Sequence, residues 1–185
     1  EISSEKHTEA RLAEELRSLL ETAVTRRLES DVPLGVLLSG GIDSSAIVAL
    51  AAQSRSAEDI RTFSIGFEEE TFDESRYAPQ VANQFGTIHK EKIFNFNTAK
   101  TMLPGLLSRL DEPLGDSSIL PTHLLCEFAR TDVTVALSGD GGDEMFAGYD
   151  PFKALSTSQA YQKYCPKPLH PAIEAIANFL PVSDK

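Results

Sequence analysis

The segment from Gly35 to Ser45 reads GVLLSGGIDSS and has the residue types of a phosphate-binding loop. Gly40 and Gly41 let the backbone approach an anion closely, so that successive N–H groups can donate to it. A helical stretch follows, and the positive end of its dipole would face the same point. Asp43 cannot attract a phosphate by charge, so we interpret it as a Mg²⁺ ligand that faces the phosphate oxygens. The loop therefore predicts a bound pyrophosphate or nucleotide tail with its metal.

This loop lacks the lysine of the commonest nucleotide loop. The pattern G-x-x-x-x-G-K-S/T places a lysine on the terminal phosphates, whereas Ile42 follows Gly41 here. The dinucleotide pattern G-x-G-x-x-G is absent from this loop as well. A tight strand-to-helix turn that happens to use two glycines is the structural alternative.

A second glycine-rich segment, from Ser138 to Tyr149, reads SGDGGDEMFAGY and follows an apolar run. It holds three acids within five residues. Asp143 could supply a second carboxylate for Mg²⁺, and Asp140 could stabilise or orient a reacting group. The spacing does not fit an EF-hand calcium loop. A flexible surface loop with solvated charge is the other alternative.

Alternating elements must position these two loops. Apolar, strand-like runs alternate with helical patterns, which predicts a mostly parallel α/β sheet with right-handed crossovers. Ligands of such sheets bind beyond the carboxyl ends of the strands, where both loops lie. We expect a buried strand at each loop and an edge position for the run that contains His89, Lys90 and Glu91. The predicted strands are 35–38, 61–67, 87–94 and 133–137, and the predicted helices are 8–29, 44–53, 73–85, 98–110 and 119–130.

Composition limits the class of protein. A chain of 185 residues with 41% hydrophobic residues fits one globular domain with a real core. The net charge of −11 argues against a nucleic-acid-binding surface, which needs clustered cations. Cys126 and Cys165 form no C-x-x-C pair, so we expect one buried and one surface thiol, without a disulfide or zinc site. Neither a signal peptide nor a membrane-spanning run is visible, so the expected location is the cytoplasm. The first residue is Glu1, and we expect a piece of a longer protein.

The pairing of LSGGIDSS with SGDGGDEMFAGY resembles the synthetase domain of the glutamine-dependent asparagine synthetases, from about Leu12 to Tyr149. These belong to the ATP pyrophosphatases, whose loop reads S-G-G-x-D-S. The resemblance implies a parallel α/β sandwich of the adenine-nucleotide α-hydrolase type. In that family a side-chain carboxylate attacks the α-phosphate of ATP, which gives an acyl-adenylate and pyrophosphate, and ammonia then displaces AMP. It implies an N-terminal helix in residues 1–30, the synthetase domain in 31–150 and a truncated helical part in 151–185.

The resemblance also implies roles for individual residues. Asp43 and Asp143 match the Mg²⁺ ligands, and Ile65 matches the aliphatic residue beside adenine. Asp140 falls where many relatives have Glu, at a position tied to forming the adenylate, and Glu144 and Tyr149 match positions near the reacting centre. The pyrophosphate loop comprises Ser39, Gly40, Gly41, Asp43, Ser44 and Ser45, while Leu38, Ser138 and Gly139 match backbone that touches the nucleotide.

The predicted function is that of an asparagine synthetase domain, with ATP, Mg²⁺ and aspartate. Ammonia would come from a glutaminase domain that is absent from this chain. One departure leaves the acceptor open: no arginine lies between Asp111 and Thr122, in the stretch Asp111–Ser118 expected near the acceptor pocket. Either another residue binds the substrate carboxylate, or the acceptor is another carboxylate, and a helix-capping loop is the structural alternative. Further alternatives are a nucleotide-binding module without turnover and, disfavoured by the charge, a tRNA-modifying enzyme. His89 and His123 are expected to be structural.

Overall fold

A computed structural model describes residues 8–68, 76–112, 114–171 and 173. The chain divides into two compact units, Glu1–Asp140 and Gly141–Lys185. Each unit is described by itself below. The domain limits expected from sequence, after residues 30 and 150, stay predictions.

The first unit contains a four-stranded parallel sheet, as predicted. Its strands are β1 (Leu34–Leu37), β2 (Arg61–Phe67), β3 (Ile88–Phe94) and β4 (Val135–Leu137), in the order β3-β2-β1-β4. The edge position expected for the run with His89 is confirmed, because it forms β3. The prediction that the fourth strand is buried is wrong. Since β4 forms the other edge and pairs with β1, its Val135 is 41% exposed.

Helices fill the connections between the strands. Asn95 begins the helix after β3 earlier than predicted, because its Oδ1 accepts a hydrogen bond of 2.9 Å from the Thr98 N–H. Residues 73–75 of a predicted helix lie outside the described residues, as does Lys185. The helices are α1 (Glu9–Leu28), α2 (Ile42–Ser54), α3 (Tyr77–Phe85), α4 (Phe96–Leu107) and α5 (Ile119–Ala129), with α6 (Gly142–Phe146) and α7 (Asp150–Tyr164) in the second unit. None of the helices in the described ranges is long and apolar enough to cross a membrane.

Two apolar clusters cover the two faces of β1. On one face Val36 and Leu38 pack with Val48 of α2, and on the other Leu37 packs near Phe63, whose ring meets that of Phe128 edge-on at 5.8 Å. Burial on both faces is what the unbroken apolar run of β1 predicts. The sheet therefore holds the loop after β1 on a rigid, central strand.

The N-terminal helix joins this core through its last turns only. Val24 and Leu28 are buried in the cluster that contains α2, whereas Leu12, Leu16 and Leu19 remain 39–63% exposed. The predicted amphipathic helix is present, but the first half of its apolar face is not covered by the described residues.

Candidate nucleotide-binding site

The loop after β1 is held from both sides. The N–H of buried Leu38 donates to the Phe63 carbonyl at 2.8 Å, which extends the sheet by one bond. Gly40 has a φ of +89°, and a Cβ there would lie 2.6 Å from the Tyr77 Cβ and 2.8 Å from the Ala78 N. Both the backbone conformation and the close approach of α3 therefore require glycine at this position.

Two serine hydroxyls close the loop on itself. Ser39 Oγ accepts from the Gly41 N–H at 3.2 Å and lies 3.0 Å from Ser44 Oγ. Ser44 Oγ donates to the Gly41 carbonyl at 3.2 Å, and this side chain is buried. The hydroxyls of Ser39 and Ser44 thus shape the loop.

The first turn of α2 supplies donors that an anion could use. Gly41 is its N-cap and offers no side-chain hydrogen bond, so no side chain caps this helix end. Ser45, half-buried in the same turn, gives its N–H to the Gly41 carbonyl at 3.0 Å. Half-buried Asp43 lies between them and is favoured there by the helix dipole. An uncapped helix N-terminus preceded by a glycine loop is suited to bind phosphate.

The loop after β4 rests directly on this helix end. A Cβ at Gly139 would lie 2.8 Å from the Ser44 N and 3.0 Å from the Asp43 Cβ. Ser138 Oγ donates to Asp140 Oδ2 at 2.9 Å, which fixes the exposed Asp140 carboxylate beside the strand end. The structure thus brings Ser138 and Gly139 together with the first loop, as the strand ends predict.

Ile65 lies in the middle of β2, the neighbour of β1, and is half-buried. Its partner in the sheet is Lys92 of β3. This position is compatible with a side chain beside a base, and the adenine contact itself stays a prediction.

The second unit begins with the rest of the acidic loop. Gly141, with a φ of +88°, is the N-cap of α6, and Asp143 and Glu144 lie in its first turn. The Tyr149 hydroxyl donates to Glu144 Oε1, and this bond holds the pKa of Glu144 below its ordinary value. The same bond raises the pKa of Tyr149. The structure therefore pairs Glu144 and Tyr149, the two residues that the resemblance matches to positions near the reacting centre, and that role stays a prediction.

The donor set for Mg²⁺ is sparse. Among the described residues, no three His, Cys, Asp or Glu side chains gather into a preformed metal site. Asp43 belongs to the first unit and Asp143 to the second, so their joint role stays a prediction. Each side chain carries carboxylate oxygens, the ligand type that Mg²⁺ uses alongside substrate phosphates and water. The residues therefore fit a metal that enters with a nucleotide.

The stretch Asp111–Ser118, described except for Pro113, leads into α5. Asp116 Oδ1 accepts from the Ser118 N–H at 2.8 Å, and this hydrogen bond holds the pKa of Asp116 below its ordinary value. This contact forms a turn before α5, whose N-cap Ser118 makes no side-chain capping hydrogen bond, so both the helix-capping alternative and a role in acceptor binding stay predictions.

Sequence reasoning missed a pocket of about 600 Å³ that is lined by Arg109, two residues before this stretch. The pocket contains the arginines Arg109 and Arg130, whereas the stretch 111–122 has none. It also includes Ser138, at the end of β4, where the nucleotide is expected. The Arg109 guanidinium has no hydrogen bond or ion pair within the described part of the chain, whereas Arg130 donates to the Thr134 carbonyl at 3.3 Å. The pocket is lined by Leu37, Arg109, His123, Glu127, Arg130 and Ser138, among others.

His89 lies in β3, and Cys126 lines the pocket that also contains Ser138. His89 Nδ1 is 3.0 Å from Thr62 Oγ1, and its Nε2 is 3.3 Å from Ser64 Oγ, so the ring bridges two buried hydroxyls of β2. Burial lowers the pKa of His89, partly offset by Glu91. Cys126 and Cys165 are free thiols, as expected, but neither is fully buried.

Comparison with known sequences identifies relatives of most of the chain. A sequence model of the asparagine synthase family matches residues 15–182. The putative asparagine synthetase (glutamine-hydrolyzing) 2 of Methanocaldococcus jannaschii is 44% identical over 139 residues, which are 75% of this chain and 27% of that protein. Asparagine synthetase (glutamine-hydrolyzing) 1 of Bacillus subtilis is 35% identical over 155 residues, 84% of this chain and 24% of that protein. The chain thus spans about a quarter of the length of these relatives.

Comparison with solved structures supports the fold. The glutamine-dependent NAD⁺ synthetase of Acinetobacter baumannii, solved with ADP, aligns with a TM-score of 0.55 at 21% identity, over 80% of this chain and 29% of that one. NMN synthetase of Francisella tularensis aligns with a TM-score of 0.51 at 15% identity, over 74% of this chain and 58% of that one. The parallel α/β architecture is therefore the adenine-nucleotide α-hydrolase-like fold that the resemblance implied.

Proposed function

This chain belongs to the asparagine synthase family, and from that premise we propose that it is the synthetase part of an ATP-dependent amide-forming ligase. Its acceptor is aspartate. The side-chain carboxylate attacks the α-phosphate of ATP, the bond between the α-phosphorus and the bridging oxygen breaks, and pyrophosphate leaves. Ammonia then adds to the acyl carbon of β-aspartyl-AMP, and AMP departs to leave asparagine.

One observation carries the proposal: the loop after β4 lies on the first turn of α2 through Gly139. This contact brings the backbone of Ser138 and Gly139 to the helix end that offers N–H donors. A nucleotide held by both loops would have its terminal phosphates on the donors of α2. The α-phosphate would then be left open to attack, as adenylate formation requires and γ-phosphoryl transfer does not.

Each residue of the two loops has a proposed role that follows from its position. The loop from Ser39 to Ser45 binds the leaving pyrophosphate through the N–H groups that the Gly41–Ser39 and Ser45–Gly41 hydrogen bonds leave open, and the hydroxyls of Ser39 and Ser44 hold its backbone in place. Asp140, fixed by Ser138, stabilises the geometry in which the adenylate forms. Mg²⁺ held by Asp43 and Asp143 would neutralise charge on the phosphates when bound. Ammonia derived from glutamine is supplied by a glutaminase domain outside this chain, and the reaction takes place in the cytoplasm.

Calorimetry with ATP and Mg²⁺ tests the phosphate and metal assignments. We expect the wild-type chain to bind ATP and Asp43→Ala to bind it about tenfold more weakly, since a carboxylate ligand is lost. Asp59→Ala is the matched control, because Asp59 is exposed in a short turn after α2. Equal affinities of the wild type and Asp43→Ala would show that Asp43 does not act on the nucleotide.

Exchange of labelled pyrophosphate into ATP tests the chemistry. Stimulation by aspartate supports asparagine synthesis. Stimulation by a different carboxylate, with none from aspartate, supports the second candidate, an amidotransferase for another acceptor. The absence of an arginine between Asp111 and Thr122 favours that candidate. Binding of ATP without exchange for any carboxylate would leave a nucleotide-binding module.

A further inference from the structure

Gly148 lies in the turn that follows α6, opposite the first turn of that helix. Its N–H donates to the Asp143 carbonyl at 3.0 Å, which closes the turn. The preceding Ala147 has a φ of 56°, so the left-handed residue of this turn is an alanine. The φ of Gly148 itself is outside the left-handed region. Backbone conformation therefore gives no reason for a glycine at position 148.

Position 148 requires glycine because another group occupies the place of a Cβ. A Cβ at position 148 would lie 1.8 Å from Asp143 Oδ1 and 2.8 Å from its Cγ. The Asp143 carboxylate therefore occupies the volume that any other side chain would need. Gly141, in the same loop, is the opposite case, because its φ is +88° and nothing lies within 4 Å of a Cβ there.

We propose that Gly148 is a positioning residue that keeps the Asp143 carboxylate in place for the metal–nucleotide complex. The inference rests on the proposed function, in which Asp143 is a Mg²⁺ ligand. An alanine at position 148 displaces the carboxylate by rotating its side chain. Since Oδ1 is the end of a rotatable side chain, the movement affects the position of the carboxylate much more than the stability of the fold. The Asp143 Cα would lie 3.1 Å from the new Cβ, so the backbone needs to move only slightly.

The first experiment observes the carboxylate directly. The ¹³C carboxyl signal of Asp143 is compared between the wild-type chain, Gly148→Ala and Gly105→Ala, without nucleotide. Gly105 is the matched control, since it lies in α4 with nothing within 4 Å of a Cβ. We expect the signal to move in Gly148→Ala only. An unchanged signal in Gly148→Ala overturns the proposal, whether or not the chain binds Mg²⁺.

The second experiment measures the gain in ATP affinity that Mg²⁺ provides, by calorimetry with Mg²⁺ or with EDTA. Gly148→Ala is expected to reduce this gain about 10-fold to 100-fold, as loss of an orienting partner does at other metal sites. ATP affinity in EDTA should not change. If the wild type shows no gain with Mg²⁺, the metal assignment of the proposed function fails, and the carboxyl signal still decides the placement of Asp143.

A double variant tests whether the effect passes through Asp143. In the Asp143→Ala background, adding Gly148→Ala should change neither the Mg²⁺ gain nor the melting temperature, because the clashing carboxylate is gone. If Gly148→Ala lowers the Mg²⁺ gain or the melting temperature as much in the Asp143→Ala background as in the wild-type background, the proposal is overturned. Should Gly148→Ala alone fail to fold, recovery of folding in the double variant supports the clash, and continued failure contradicts it.

Discussion

Glycines in this protein serve different purposes, and the structure separates them residue by residue. Glycine is required at position 40 by a φ of +89° and by the close approach of α3. At position 139 it is required by the close approach of α2. A sequence pattern shows only that glycines recur in the two loops. It does not show which backbone or side chain lies above each one, because those neighbours come from elements distant in the chain.

Gly139→Ala is expected to destabilise the fold and weaken ATP binding together. The atom in the way is the backbone N of Ser44, at 2.8 Å, which cannot rotate aside. Overpacking of this kind costs about 1–3 kcal/mol. Urea denaturation measures the loss of stability, and calorimetry measures the loss of affinity. Gly105→Ala is the control, and a variant with wild-type stability would contradict the close contact of the two loops.

Arg109 is the residue to test for acceptor binding. Its guanidinium lines the pocket that reaches Ser138 and has no partner among the described residues. Arginine binds carboxylates with paired donors, so Arg109→Ala should raise the acceptor KM in pyrophosphate exchange about tenfold or more and leave ATP affinity unchanged. Arg17→Ala, on the exposed face of α1, is the control. An unchanged KM would assign the acceptor to other residues.

At the scale of elements, local patterns predicted most of the sheet and its order of strands and helices. The apolar run of β1 and the polar residues of β3 predicted a central and an edge strand correctly. The run that became β4 looks equally apolar, yet it is an edge, because the number of neighbours of a strand is decided by topology. The helix α4 started early for a local reason, the Asn95 cap, that the apolar pattern does not show.

The pairing of β2 with β3 contains a histidine that should make stability depend on pH. Burial lowers the pKa of His89 in the folded chain, so the unfolded chain binds more protons between that lowered pKa and 6.5. This contribution is present in full above about pH 6.5 and is lost as the pH falls through the window below. Urea denaturation from pH 7.5 to pH 5 should show a decrease that is smaller in His89→Gln. His170→Gln is the control, and equal slopes in wild type and His89→Gln would contradict this assignment.

At the scale of the whole molecule, the chain carries the nucleotide loops but spans about a quarter of the relatives' length. Sequence motifs predicted this family directly, since two specific loops sit at neighbouring strand ends. The pocket that contains Arg109 was less accessible to sequence reasoning, because it combines α5, β4 and Arg109 from separate parts of the chain.

The source of ammonia tests the proposed division of labour between this chain and a glutaminase domain. The chain is proposed to use ammonia that a glutaminase domain outside it releases. With ATP, Mg²⁺ and aspartate, the 185-residue chain is therefore expected to form asparagine from ammonium chloride and not from glutamine. Amino-acid chromatography measures the asparagine that is formed. The Asp43→Ala variant is expected to bind ATP more weakly, so it should form asparagine from ammonium more slowly. Formation of asparagine from glutamine at a rate similar to that from ammonium would mean that this chain releases ammonia itself, contrary to the proposed division of labour.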